Sequence, residues 1–177
     1  MPSRRTVRGA GFSHDILLFL HMLSRHRVRY LVVGGEAVIF HGYPRVTGDV
    51  DFFYENTPAN SRRLFDALRE FWADRIPGIR SAEELREPGV IIQFGRPPHR
   101  IDLMNRIDAV SFAEAWLSRI RVRLEAKSGS VTVPYINLSP LLKNKRATGQ
   151  PKDLEDTRYL AAGAARKRAR KQKPSSP

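Results

Sequence analysis

Asp49 and Asp51 stand two residues apart in the run Val46–Phe53, whose composition otherwise reads as a β-strand. Strand alternation turns both carboxylates to one face and sends Val50 back toward the core, with Phe52 continuing the buried side. A fold that accepts this strand must hold two like charges side by side. That is tolerable where the face is solvated or where a cation sits between them. An Asp-x-Asp pair alone more often marks a solvated face. A third acid, Asp102, repeats the pattern inside the apolar run Arg100–Met104. If the two strands are neighbours, three carboxylates converge. The competing expectation for Asp102 is a strand-end acid paired with Arg45 or Arg100, and both readings stand at this point.

The segment upstream constrains the site further. Tyr30–Val33 is short, apolar and β-branched, as a buried strand requires, and it stops at Gly34-Gly35 before the helical composition of Glu36–His41. Glycines admit positive φ and allow a phosphate to approach main-chain N–H groups at a helix start. A Gly-Gly pair is also common in plain turns. Neither the Walker spacing nor the Gly-x-Gly-x-x-Gly fingerprint is present. Helices are expected from Ser13, as N-cap, to about His26, from about Asn60 to Asp74, and over Ser111–Leu117, with a short helical turn at Ser81–Arg86. Val90–Phe94 and Arg100–Met104 are expected to pair as a hairpin, as are Arg119–Glu125 and Val131–Ile136 across Lys127-Ser128-Gly129. Ser139-Pro140 reads as a helix cap and first helical residue, and Pro151 opens a last helix that runs into a basic tail. Strands and helices mix without strict alternation. This predicts an α+β fold, a short mixed β-sheet with flanking helices and a C-terminal helical segment. The division expected is a flexible lead over 1–11, a core over 12–138, the helical segment over 139–165 and a basic disordered tail over 166–177.

The formal net charge is +13, and nine of those positive charges lie at the ends: Arg4, Arg5 and Arg8, and six basic residues between Arg166 and Lys173. Without those nine the remainder carries +4. Such ends attract nucleic acid non-specifically by releasing counterions, or serve only as solvated tails. The absence of cysteine excludes disulfides, thiolate catalysis and sulfur-ligated zinc, and makes the cytoplasm the expected compartment. The longest apolar runs, Ile16–Leu20 and Leu31–Val33 with their flanks, are too short for the ~20 residues of a membrane span, and no secretory leader is expected. The five histidines show no metal-ligand grouping.

Taken together, Val33-Gly34-Gly35, thirteen residues, Asp49-Val50-Asp51-Phe52 and a later strand carrying Asp102 resemble the nucleotidyltransferase superfamily typified by DNA polymerase beta. A closer likeness runs through Gly34-Gly35-Glu36-Ala37, His41-Gly42, Arg45-Val46-Thr47 and the late Lys143…Lys152-Asp153-Leu154-Glu155-Asp156. It is to the small prokaryotic nucleotidyltransferases of abortive-infection and toxin–antitoxin systems.

The resemblance implies the nucleotidyltransferase fold and two Mg²⁺ ions, or Mn²⁺, on Asp49, Asp51 and Asp102. It implies an NTP such as ATP with its phosphates on Gly34 and Gly35, and transfer of its NMP moiety to an acceptor hydroxyl. Asp102 would complete the nucleophile-side metal and accept the hydroxyl proton. Arg45, Thr47, Lys143 and Lys152 are expected near the phosphates, Lys143 foremost, with Asp156 behind them as a partner of Lys143 or arginines. Lys145 and Arg146 read as a solvated helix face, and Asp153 as an acid favoured by a helix N-terminus. Expected partners are the NTP, RNA such as a tRNA 3′ end through the basic ends, and a cognate antitoxin protein. A small-molecule acceptor of the aminoglycoside type, or a non-catalytic binding protein on the same fold, are the alternatives. One departure stands out: Glu36 follows the glycines where many superfamily members carry Ser or Thr, and an anion there repels phosphate unless it turns away, with Arg45 as the expected partner.

Overall fold

A computed structural model describes residues 4–8, 12–97, 99–126 and 129–172. Among them, seven strands form one mixed sheet in the order β1-β6-β7-β2-β3-β5-β4. The strands are β1 (Arg4–Arg8), β2 (Tyr30–Val32), β3 (Asp49–Tyr54), β4 (Ile91–Phe94), β5 (Arg100–Met104), β6 (Ile120–Ala126) and β7 (Gly129–Tyr135). The helices are α1 (His14–Arg25), α2 (Gly34–Phe40), α3 (Pro58–Phe71), α4 (Phe112–Ser118), α5 (Leu138–Thr148) and α6 (Pro151–Gln172). A 3₁₀ turn at Glu84–Arg86 fills the end of the Ser81–Arg86 segment. This is the α+β arrangement expected of the chain, and no helix of the described residues is long and apolar enough to cross a membrane.

Local chemistry sets most of the boundaries. Ser13, Thr57 and Ser111 each accept a hydrogen bond from a backbone N–H of the first helical turn, at Ile16, Asn60 and Glu114. The start of α5 corrects the expectation from Ser139-Pro140. Its cap is Asn137, whose side chain accepts from Leu138 N–H, so the helix begins earlier and Pro140 sits within its first turn, where a missing N–H costs nothing. Gly149 ends α5 at φ 66°, the left-handed conformation that glycine adopts without steric cost. Residues 4–8, inside the expected flexible lead, pair in parallel with β6, Arg4 opposite Arg121 and Arg8 opposite Glu125. The expected basic tail is helical as far as Gln172, and residues 173–177 lie outside the described part.

The core has two layers of side chains. On one face of the sheet Phe52 meets Phe19 of α1 and Tyr30 edge-on, at 5.4 and 5.7 Å, and Phe19 meets Phe71 of α3 at 5.2 Å. On the other, Phe53 meets Phe112 of α4 at 5.2 Å. Asp51 lies two residues before Phe53 in β3, so the carboxylates share the α4 face.

A buried amide locks this frame. Asn60 is 1% exposed. Its Oδ1 accepts from Arg29 N–H at 2.8 Å, and its Nδ2 donates to the carbonyls of Arg29 at 3.0 Å and Glu55 at 2.9 Å. The start of β2 and the end of β3 are thus tied through one side chain of α3. Asn60→Ala leaves the Arg29 N–H unpaired and removes one of the two donors to each carbonyl, which keep the Glu55 and Thr57 N–H groups at 3.1 Å. It is expected to destabilise the fold by about 2–3 kcal/mol and lower the melting temperature by roughly 4–10 °C. Thermal unfolding followed by circular dichroism checks this, and an unchanged midpoint would remove Asn60 from the frame.

Candidate active site

β3 and β5 run parallel, with Asp49 opposite Arg100 and Asp51 opposite Asp102. Lateral neighbours in register point to the same side, and oxygens of Asp49, Asp51 and Asp102 lie within 4.8 Å of one another. Both readings of Asp102 are realised together. It joins the other two acids, and it also pairs with Arg100. The Arg100 Nε donates to Asp102 Oδ1 at 2.7 Å, and its Nη2 donates to Asp102 Oδ2 at 2.9 Å and Asp49 Oδ2 at 2.7 Å. Gln93 from β4 donates to Asp102 Oδ2 at 3.0 Å. The spacing of Arg100 two residues before Asp102 was the signal that it shares their face.

Among the described residues, no guanidinium pairs with Asp51. Burial first, then the charges of Asp49 and Asp102, push its carboxyl up to about 6, against a smaller opposing pull from the Gly35 N–H and Lys145. The glycine turn is built around this side chain. Gly34 opens α2 at φ 58°, and a Cβ there would lie 1.8 Å from Asp51 Oδ2. At Gly35 a Cβ would lie 2.5 Å from Thr47 Oγ1. The Thr47 hydroxyl in turn stands 3.1 Å from Asp49 Oδ1 and 3.2 Å from the Asp49 carbonyl. Gly34, Gly35, Thr47 and the acids therefore form one close-packed unit.

A cleft of about 670 Å³ opens over it, lined by Gly34, Gly35, Arg45, Thr47, Asp49 and Asp51 on one side and by Lys145, Lys152 and Asp153 from α5 and α6 on the other. The α5–α6 wall differs from what the sequence suggests. Lys145 is not on a solvated face; it is 5% exposed and donates to Asp153 at 2.6 Å, with Asp156 at 2.9 Å. Asp153 is thus an ion-pair partner as well as a first-turn acid. Asp156 also meets Arg45 at 3.2 Å, the arginine partner expected of it. Lys143 points elsewhere, to Glu114 of α4 at 3.1 Å, and is not among the residues lining the cleft. The burial of Lys145 was legible in its spacing, four residues after the buried Leu141 on the same helix face. Glu36 is half-buried, and its carboxyl is raised by burial first and then by Asp51 and Asp49, with Arg45 opposing. His41 caps α2, and its Nε2 lies 2.9 Å from the Ile136 carbonyl.

Three carboxylates of hard oxygen donors at this spacing fit a divalent cation, and a raised carboxyl beside two anions is the group such an ion would relieve. Two outcomes follow. Asp51 titrates near 6 when folded against 3.8 when free, so the folded state holds more protons between those values. Its contribution to stability then declines as pH rises through that window and is fully unfavourable above it. In EDTA at pH 7.5, Asp51→Asn is expected to melt higher than wild type by on the order of 1–2 kcal/mol, a gain that fades toward pH 4. Calorimetry in both buffers checks it, and a lower midpoint at pH 7.5 would contradict the strain. Removing the competing guanidinium with Arg100→Gln should tighten Mn²⁺ binding roughly fivefold, measured by electron paramagnetic resonance; weaker binding would instead make Arg100 a support of the ligand set.

No curated protein matches the sequence. Residues 15–161 match a family described as nucleotidyltransferase of unknown function (DUF6036). With the glycine turn, the converging acids and most of the chain inside that match, the protein belongs to this nucleotidyltransferase family.

Proposed function

We propose that the protein transfers an NMP moiety from an NTP to an acceptor hydroxyl in the cleft between the β3–β5 acids and the α5–α6 wall. The observation that carries this is the in-register convergence of Asp49, Asp51 and Asp102 beside Gly34-Gly35. Asp49 and Asp51 would hold two Mg²⁺ or Mn²⁺ ions, with Asp102 completing the ligands on the acceptor side. Bound there, the cations supply neutralisation at the attacking and leaving oxygens. The acceptor oxygen forms its bond to the α-phosphorus as the bond to pyrophosphate breaks, and the hydroxyl proton passes to the carboxylate cluster. Lys152, exposed at the cleft wall, and Lys145 and Arg45, anchored by Asp153 and Asp156, face the space where the triphosphate lies. Lys152 keeps the place near the phosphates that the resemblance implied for it, and Lys145 takes the foremost place it implied for Lys143. RNA, such as a tRNA 3′ end, is the acceptor favoured by the basic charge of the chain. A cognate antitoxin partner rests on the family likeness alone.

A second reading, nucleotide or RNA binding without turnover, is favoured by two observations: Arg100 already neutralises two of the three acids, and Glu36 stands beside the phosphate turn. Titration calorimetry with Mg²⁺ and a non-hydrolysable NTP separates a competent site from a degenerate one.

The test of the primary reading is incubation with α-labelled NTP, Mg²⁺ and cellular RNA. Asp51→Asn should lower label transfer and pyrophosphate release by at least about a hundredfold; transfer that survives it defeats the assignment. Lys152→Ala is expected to raise KM for NTP by roughly three- to tenfold, while Lys143→Ala leaves kcat and KM unchanged. Equal effects of the two would contradict the placement of the triphosphate.

A further inference from the structure

A second cavity, about 510 Å³, lies apart from the catalytic cleft and shares none of its lining residues. Arg27 and Arg29 line it from the turn between α1 and β2, Arg121 and Arg123 from β6, Arg119 from the residue that joins α4 to β6, and Trp116 from α4. No acidic residue lines it. The arginines of β6 alternate with Ile120, Val122 and Leu124, so the apolar residues enter the core and the guanidinium stems turn to one side at steps of ~6.8 Å. Arg121 lies opposite Pro134 of β7. Because Val32 pairs with Tyr135, Pro134 shares the face of Leu31, Phe53 and Asp51. The arginine row and the catalytic acids therefore occupy the same face of the sheet, with α4 over that face between them.

Five like charges in one cavity need a reason. Only part of them is neutralised: Arg29 meets Glu55 at 2.7 Å, and Arg123 meets the exposed Glu125 at 3.6 Å. Among the described residues, Arg27, Arg119 and Arg121 meet no carboxylate. Arg119 stacks 3.9 Å over the Trp116 ring, with Arg29 at 4.8 Å from it. Its Nη1 donates to the Trp116 carbonyl, whereas its Nε is buried without a hydrogen-bond partner. Burial first, then the charges of Arg121 and Arg29, lower its pKa. The protein thus maintains a self-repelling cation cluster, half-buried at Arg29, Arg119 and Arg121 and exposed at Arg27 and Arg123, with Arg119 and Arg29 held against the Trp116 ring. A phosphate would supply the missing acceptors and relieve the repulsion, and guanidinium forks fit phosphate oxygens in pairs.

We propose that this cavity binds the sugar–phosphate backbone of a single nucleic-acid strand, the row of arginines along β6 taking successive phosphates. A row of cations at regular steps suits a repeating anion better than one small ion. Trp116 serves as the brace for Arg119 and not as a base-stacking platform, since its ring is already engaged by Arg119 and stacked with Phe112. The inference rests on the transferase reading only for its last step, that the strand bound here is the acceptor presented to the carboxylates on the same face.

The test is fluorescence anisotropy of a labelled single-stranded RNA of about a dozen nucleotides with the full chain, in EDTA and without NTP. Replacing Arg121 and Arg123 together by Glu should weaken binding at least tenfold, and the slope of log K against log salt should fall by roughly two. AMP at matched phosphate concentration should not displace the RNA. Arg119 is left intact because it packs on Trp116, and Arg123→Gln, at an exposed side chain, serves if the double variant melts early. That single change should still lower the salt slope by about one. Undiminished RNA binding by the variants overturns the proposal, as does loss of all binding on deleting residues 166–177 alone. Displacement by AMP as effective as by RNA overturns it in favour of a small-anion site, and an absence of RNA binding by wild type overturns it outright. With neither metal nor NTP present, failure here leaves the transfer reading standing. An inactive transferase that still binds RNA through β6 leaves this one standing.

Discussion

The parallel register of β3 on β5 is the constraint on which the rest of the site hangs. A shift of one residue would turn Asp102 to the opposite face of the sheet and bring Ile101 or Leu103 beside Asp51. The register is held from both sides. Val50, Phe52, Ile101 and Leu103 are buried in the layer under α1 and α3, and β4 pairs with β5 along its outer edge. Hydrophobic burial therefore secures a geometry that electrostatics alone would push apart. The acids sit where apolar packing on the other face leaves them no alternative.

The neutralisation of those acids is unequal. Arg100 bridges Asp49 and Asp102, while Asp51 is packed against Gly34 with one backbone donor and no cation in direct contact. A similar division holds across the cleft, where Lys145 and Arg45 share Asp153 and Asp156. Ion pairs of this kind are costly to break and add little net stability. Their effect is positional: side chains of the α5–α6 wall and of the β3–β5 wall are each tied by ion pairs, with Asp51 left outside them at the centre.

Much of this was readable from residue order. Alternation in Asp49-Val50-Asp51, the Gly-Gly stop after Tyr30–Val33, and the cap Ser13 are local signals, and local signals survive folding. The hairpins read correctly for the same reason. The cap of α5 did not, because Ser139-Pro140 and Asn137 offer competing starts and the choice depends on how β7 delivers the chain. Nor did the burial of Lys145. Three cations within ten residues look alike until α6 packs back and its buried acids select one. The arginines of β6 escaped notice because alternate charge on a strand usually means a solvated face. Here α4 and the α1–β2 turn wall that face in, a long-range arrangement that no window of sequence contains.

The last helix binds these regions into one mechanical piece. Its first turns carry Asp153 and Asp156, which set Lys145 and Arg45 at the cleft. Tyr159, a turn or so farther on, stacks on Tyr43 at 4.1 Å, and Tyr43 also bonds Glu155. Arg166, Lys167 and Arg170 then follow on the same rod, about 20 Å beyond Asp153 by the helical rise. The positively charged end is therefore the far arm of a rod whose near end carries the acids of the α5–α6 cleft wall. One continuous helix joins that basic end to the salt bridges that fix the cleft wall.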